Sequence, residues 1–385
     1  MTGRPIPLQR GRFAIVTNGF VGGGAAHAMR DFLVARKAGR LVTVFHPLTR
    51  EDVGRHEMTI WEKGVEVRKR SWMLPSRPPF TFPLDLVTPI SMPEVDCWFG
   101  FNALACWRGI RARKAGRTEK AVYWCVDFVR ARFGAGQLTR FYEYMDGFCS
   151  ANADFRFDIS QAAAEARNAR HAKLRLAPVR IVPIGAWLDR MATTPPDGYR
   201  SRKVIYAGNL VRTQGGPMLL AALGLLGQRN VQFTAEIVGR GPLLEELQAL
   251  ARDSRIDDRV HFHGYVDDHR DVERIVASGA VGMAPYDSEI ESFTRWADPG
   301  KLKTYLAAGL PIIVTDVPPN ARALAEAGAA VIAPFQAEGI ADAIEQVLAD
   351  GDEWQRRRQA ALNLAKDYDW TTILSGALET AGFQV

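Results

Sequence analysis

The stretch Ala297–Pro319, ADPGKLKTYLAAGLPIIVTDVPP, decides the reading of the chain. Asp298-Pro299-Gly300 makes a tight turn into a short helix, Lys301 to Ala308. Gly309 stops it, and a buried strand, Pro311 to Thr315, runs into a Pro-rich loop. Proline just inside a helix start and glycine just past its end mark both limits. The first turn carries Lys301 and Lys303, the wrong sign for the helix's own dipole. Basic residues beside open helix N–H groups suit a bound anion; two solvated surface lysines are the plain alternative.

Outward from that stretch, strand and helix patterns alternate along nearly the whole chain. Arg12 to Asn18 is an apolar strand entering a glycine loop, Gly19 to Gly24, followed by a helix to Lys37 and a strand from Leu41 to His46. This is the opening of a doubly wound α/β fold. The loop lacks the GxGxxG spacing and the later acidic residue of a dinucleotide site, which disfavours NAD. Gly22, Gly23 and His27 remain candidates to line a ligand at the strand's carboxyl end, with a tight turn capped by histidine as the alternative. Further strands are expected at Val95–Phe99, Ala121–Val126, Phe155–Ile159 and Val179–Pro183, with a basic helix from Leu104 to Lys114 and an amphipathic one from Gln137 to Asn152. Asp127 follows the second of these strands, where such folds place ligands. It is a candidate general base, or else a helix cap or the partner of Arg130 or Arg132.

Around Ala192–Ser201, TTPPDGYRS has the composition of a linker. A second series follows, with strands at Lys203–Ala207, Phe233–Val238, Arg259–His263, Val281–Pro285, Pro311–Thr315 and Ala330–Ala333. The expected organisation is a Rossmann-like domain over 1–190, a second over 191–366, and a closing helix over 367–385 that crosses back to the first. Two such domains would face a central cleft.

Composition narrows the class. With 385 residues, 47% hydrophobic and 24% charged, the chain has the balance of an ordinary globular protein. The net charge of +6 suits an anionic substrate or an acidic membrane surface, and no nucleic-acid motif accompanies it. The four cysteines show no CxxC spacing and read as reduced core thiols, with no metal expected. Neither a signal peptide nor an 18-residue apolar run is present, so a cytoplasmic protein is expected. Residues 65–90 interleave Arg68, Lys69, Arg70 and Arg77 with Trp72, Met73, Leu74, Phe80 and Phe82 among five prolines. That mixture suits peripheral contact with anionic lipid headgroups at the inner membrane face, or a Pro-rich loop covering a core edge. Asp350-Gly351-Asp352 reads as a helix cap rather than a metal-binding DxD.

The order of motifs resembles a GT-B glycosyltransferase of the family 4 type. AGNLVRTQGG (Ala207–Gly216), VGRGP (Val238–Pro242), HFHGYV (His261–Val266), APYDSEIE (Ala284–Glu291) with PGKLKTYLAAGLPIIVT, and the terminal DYDW stand in the family's sequence. The resemblance implies a sugar-nucleotide donor held by Gly208, Asn209, Arg212, Gly239, Tyr265, Tyr286, Glu289, Glu291, Gly300, Lys301 and Thr304. The family's Arg and Lys after and before the first segment's glycines are Asn209 and Gln214 here, with Arg212 able to supply the charge. The family's acidic residue before the AxG glycine is Thr304. A local likeness to the xanthan glucuronosyltransferase places Lys301 at its lysine position and matches Tyr123–Asp127 to a YxxxD run whose aspartate is a base. The implied activity is metal-independent transfer from a UDP-sugar, without a cofactor, to a saccharide or lipid-linked hydroxyl, with inversion, Asp127 as base and Lys301 on the leaving diphosphate. A retaining enzyme using Glu289 or Glu291 and an inactive GT-B partner subunit are the alternatives.

Overall fold

Parallel strands that are apolar on both faces must be covered by helices on both sides, and the chain does this twice. The computed structural model describes residues 5–18, 24–47, 55–73 and 91–385. They form two units, Met1–Pro183 with Thr371–Val385, and Ile184–Trp370.

The first unit contains β1 (Ile6–Pro7), β2 (Arg12–Asn18), β3 (Arg40–His46), β4 (Arg55–Glu62), β5 (Val65–Met73), β6 (Val95–Gly100), β7 (Thr118–Cys125), β8 (Phe155–Asp158) and β9 (Val179–Ile181). Among the described residues its main sheet has eight strands in the order β5-β4-β3-β2-β6-β7-β8-β9. From β3 to β9 neighbours run parallel, and β4 and β5 add an antiparallel hairpin at the edge. Ala14, Val16, Val42, Val44, Met58 and Trp98 form one packed cluster of this unit. Cys125, Tyr123 and Ala121 pack with Cys106 and Cys149 in another. All four cysteines are buried and unbridged.

The hairpin corrects the reading of 65–73, a strand rather than a loop, while 74–90 lie outside the described residues. Residues 65–73 are the edge strand β5, exposed through Ser71, and Arg68, Lys69 and Arg70 lie on it. Lys63 and Gly64 turn the chain with φ of 51° and 83°, the pair of positive angles that a two-residue hairpin turn requires. Trp72 lies half-buried, stacked on His56 with ring centroids 5.3 Å apart. Arg77, Leu74, Phe80 and Phe82 lie outside the described residues, as do Gly22 and Gly23.

The second unit holds β10 (Lys203–Ala207), β11 (Thr234–Val238), β12 (Val260–Gly264), β13 (Val281–Ala284), β14 (Ile312–Val314) and β15 (Ala330–Ile332). They form one parallel sheet in the order β12-β11-β10-β13-β14-β15. Period-2 alternation assigns the two faces. Val204, Tyr206, Ile237 and Ile313 enter one core with Leu219, Leu223 and Ile344; Ile205, Ala207, Ile312 and Val314 enter the other with Leu302, Tyr305 and Leu306. The order reverses direction at β10, between β11 and β13, which is where open α/β sheets bind ligands at their strands' carboxyl ends.

The units divide at Pro183/Ile184 and Trp370/Thr371, rather than after 190 and 366. Backbone bonds explain the shift. Ala186 N–H donates to the Tyr368 carbonyl at 2.9 Å, and Trp370 N–H donates to the Ala186 carbonyl at 3.0 Å. Both strings therefore belong to the second unit. The linker-like segment 192–201 is also packed there: Thr194 N–H donates to the Ala308 carbonyl, and Arg358 Nε donates to the Thr194 carbonyl, each at 2.8 Å. The helix Trp370–Thr380 leads to β16 (Phe383–Gln384), which pairs in parallel with β1. Asp350 caps the helix Gly351–Ala365 by accepting from Asp352 N–H at 2.9 Å. Among the described residues no helix is long and apolar enough to cross a membrane.

Candidate functional site

The helix Gly300–Ala308 starts at Pro299, whose side chain cannot cap it, and ends at Gly309 with φ of 74°. Its first-turn N–H groups receive no side-chain cap, which leaves a partial positive charge at the start. Lys301 extends from that turn to the loops after β10 and β13. Its Nζ lies 4.4 Å from the ring centre of Tyr206 and 5.0 Å from that of Tyr286. A β-carbon on Gly208 would stand 2.9 Å from this Nζ, so the ammonium lies directly against the bare glycine backbone.

Lys301 Nζ is shut off from solvent and makes no hydrogen bond. The residue as a whole is half-buried, because its backbone and stem remain accessible while the ammonium does not. Burial lowers the lysine to about 7. The Tyr286 hydroxyl is likewise buried without a partner, and burial pushes its phenol well up. Two orphaned donors beside a helix start make a place for an acceptor-rich anion.

Glycines let the loops meet. Gly239 has φ of 138°, and a β-carbon there would fall 1.9 Å from the Gly208 carbonyl oxygen; one on Gly215, at φ of 71°, would fall 1.6 Å from that of Pro285. Gly208 N–H donates to the Val238 carbonyl at 2.9 Å and Gly239 N–H to the Gly264 carbonyl at 2.8 Å. The loops after β10, β11 and β12 are thereby tied in a row. Tyr305 fixes the other side: its hydroxyl accepts from Ala207 N–H at 2.9 Å and donates to the Met283 carbonyl at 3.2 Å. Tyr206, Tyr305 and Gln214, the last 3.8 Å from the same Gly208 β-position through its side-chain oxygen, were not among the expected site residues. For the two tyrosines the only sequence signal was position, beside Gly208 and inside the Lys301 helix; Gln214 carried a further one, standing where the resembled family has lysine.

Lys303 corrects the expectation of two lysines serving one anion. Two residues on from Lys301, it points to the helix's other side, where it is wholly buried and ion-paired with Asp298. Its ammonium also lies 4.2 Å from the Tyr368 ring centre. Asp298 accepts from Ile184 N–H at 2.7 Å and from Asn320 Nδ2 at 3.1 Å. Burial drives the Asp298 carboxyl up and the Lys303 ammonium down, and their mutual attraction opposes both.

The other expected residues of this unit are exposed or half-buried. Arg212 is exposed and paired with Glu246 at 3.3 Å. Asn209 is exposed, and its carbonyl accepts from the Tyr206 hydroxyl at 2.9 Å. Tyr265 is exposed under the Arg240 guanidinium, 4.5 Å from its ring centre. Glu289 and Glu291 are exposed, and Glu289 N–H donates to Asp287 in a local turn. Thr304 donates to the Gly300 carbonyl at 3.3 Å, within its own helix.

In the first unit, Asp127 pairs with Arg132. The Asp127 carbonyl accepts from Arg167 Nη2 at 2.8 Å, and Arg170 Nη2 reaches the carbonyls of Val129 and Arg130 at 3.1 and 3.0 Å. Two arginines of the helix Gln161–Arg170 thus hold the loop that carries Asp127. Arg167 is anchored in turn by Asp146 and Asp158. Burial pushes the Asp146 carboxyl up, yet Arg167, His171 and the Tyr123 hydroxyl together bring it down to about 2. Tyr123 therefore serves this network through a 2.6 Å bond to Asp146. His27 sits in the first helix, its ring 4.9 Å from that of Phe45.

Residues 201–350, which lie within the second unit, match the family model described as glycosyl transferases group 1. No curated protein matches the chain in sequence. Solved structures match over nearly its whole length. Sucrose-phosphate synthase from Thermosynechococcus elongatus is 17% identical with a TM-score of 0.71, over 97% of this chain and 98% of that one. Anabaena HepE, solved in complex with UDP, is 16% identical with a TM-score of 0.69, over 96% and 99%. WaaG, a glycosyltransferase involved in lipopolysaccharide biosynthesis, is 16% identical with a TM-score of 0.64, over 96% and 99%. At these identities the likeness establishes the fold, which is GT-B.

Proposed function

We propose that the chain transfers a sugar from a nucleoside-diphosphate donor, a UDP-sugar by preference, to an acceptor hydroxyl. The observation that carries this reading is the buried, unpaired ammonium of Lys301, set against Gly208 beside an uncapped helix start. The acceptor oxygen attacks the anomeric carbon, and the bond from that carbon to the diphosphate oxygen breaks. The acceptor's proton passes to Asp127. The charge left on the diphosphate meets the Lys301 ammonium and the first-turn N–H groups, an arrangement that stabilises charge where it develops. One such displacement inverts the anomeric centre. A retaining course would give Glu289 or Glu291 the contact with the sugar, and the anomer of the product separates the two.

UDP is favoured because residues 201–350 match the group 1 model and HepE, similar in fold, was solved with UDP. The local likeness of Tyr123–Asp127 and Lys301 to a glucuronosyltransferase adds UDP-glucuronate to the donors worth testing. The exposed Arg68, Lys69 and Arg70 of β5 suit an acceptor presented at an anionic membrane surface, as in assembly of a polysaccharide or glycoconjugate.

Thermal unfolding with UDP, GDP, ADP, TDP and CMP tests the donor class. At about a hundred times its dissociation constant a ligand adds roughly 2.7 kcal/mol to stability. UDP is expected to raise Tm well above the others, and UDP-glucose or UDP-glucuronate to be consumed when an acceptor is supplied. A chain whose Tm none of the five nucleotides moves does not have this donor site.

A further inference from the structure

His261-Phe262-His263 places two imidazoles on one face of β12, since side chains two apart along a strand share a face. Phe262, between them, packs on the opposite core. In the parallel register His261 lies opposite Glu236 of β11, so the carboxylate shares the imidazoles' face. The two rings stand 4.4 Å apart at 79°, and His263 Nε2 lies 2.7 Å from Glu236 Oε2. One ligand atom from each of Glu236, His261 and His263 lies within 4.8 Å of the other two, which makes these the one such group among the described residues. β12 is the sheet's edge strand, and His261 is exposed.

We propose that Glu236, His261 and His263 bind a divalent transition metal ion of the zinc type, a site separate from the Lys301 anion site. Two imidazoles and one carboxylate suit zinc, copper or nickel rather than calcium or magnesium, which take all-oxygen sets. In a tetrahedral set two ligands about 2.1 Å from one ion stand about 3.4 Å apart. Closing from 4.8 Å takes a shift of about 1.4 Å at most, and rotation of the exposed His261 ring supplies it. Three protein ligands leave a fourth position for water.

Lys203 Nζ lies 3.5 Å from Glu236 Oε1 and opposes a second cation there. It also lies 3.3 Å from Ser278 Oγ, which can keep it when the carboxylate turns to the ion. The ion would cross-link the edge strand to β11 one residue before Gly264, whose carbonyl holds Gly239. Its role is therefore to fix the outer strand and the Gly264–Tyr265 turn, not to touch the reacting groups.

Isothermal titration of chelator-treated, tag-free protein with zinc sulfate tests the site. The expected result is one ion per chain, no binding of magnesium at the same concentrations, and at least a tenfold loss of zinc affinity in His261→Ala. Because His261 is exposed, that variant keeps the metal-free Tm; His263→Gln provides a second loss with similar volume. Zinc heats no larger than buffer, or equal affinity and stoichiometry in the wild type and both variants, would overturn the proposal.

Discussion

Lys301→Met is expected to raise the stability of the free protein and to abolish its stabilisation by UDP. Both effects come from one ammonium, buried without a hydrogen bond and lowered by that burial to about 7. A folded-state value below the 10.5 of the unfolded chain means that the unfolded chain binds more protons between these two pH values. Stability contributed by this group therefore rises with pH through that window and is lowest below pH 7. At neutral pH the penalty is on the order of 3–4 kcal/mol, softened by the faces of Tyr206 and Tyr286. Methionine keeps the stem's packing and removes the penalty. Denaturant melts at pH 7 and pH 9.5 should show the variant more stable at the lower pH and the gap narrowing at the higher. A variant less stable than wild type at pH 7 would mean that the ammonium is satisfied in the free protein.

Asp298→Ala is expected to have the largest destabilising effect, about 3–5 kcal/mol, because it leaves the buried Lys303 ammonium without a counter-charge. It also removes the acceptor of Ile184 N–H. The double variant Asp298→Leu/Lys303→Met should recover much of the loss, since replacing a buried pair by apolar groups is often close to neutral. Urea unfolding of the two variants decides it. An Asp298→Ala protein within about 1 kcal/mol of wild type would show that water or a neighbour takes over the pairing.

Residues with strong periodicity were legible from sequence; residues whose role depends on direction were not. The strands of the second unit read as apolar runs bounded by turn residues, and the helix Gly300–Ala308 was framed by Pro299 and Gly309. By contrast, β4 and β5 escaped because RHEMTIWEKGVEVRKRSWM carries charges on both faces and turns at Lys63-Gly64 without an Asn-Gly or Asp-Gly signal. Lys301 was identified, yet nothing in the local string said that Lys303 turns inward to Asp298; only the packed core decides which of two lysines two residues apart is buried. Arg212 pairs with Glu246 of another helix, a partner that nothing in its local string announced. The pairing of Glu236 with His261 depends on strand register, which composition does not reveal.

We propose that Lys301 meets the donor's diphosphate and takes up a proton as it does so. Calorimetry of UDP binding at pH 8, in two buffers of different ionisation enthalpy, measures it most directly. In the free protein a lysine near 7 is mostly neutral at that pH, and a bound diphosphate favours its charged form. The wild type should therefore take up close to one proton per UDP, and Lys301→Met should bind far more weakly with no such uptake. Tight UDP binding without proton uptake in the wild type, or unchanged in the variant, would place the diphosphate elsewhere.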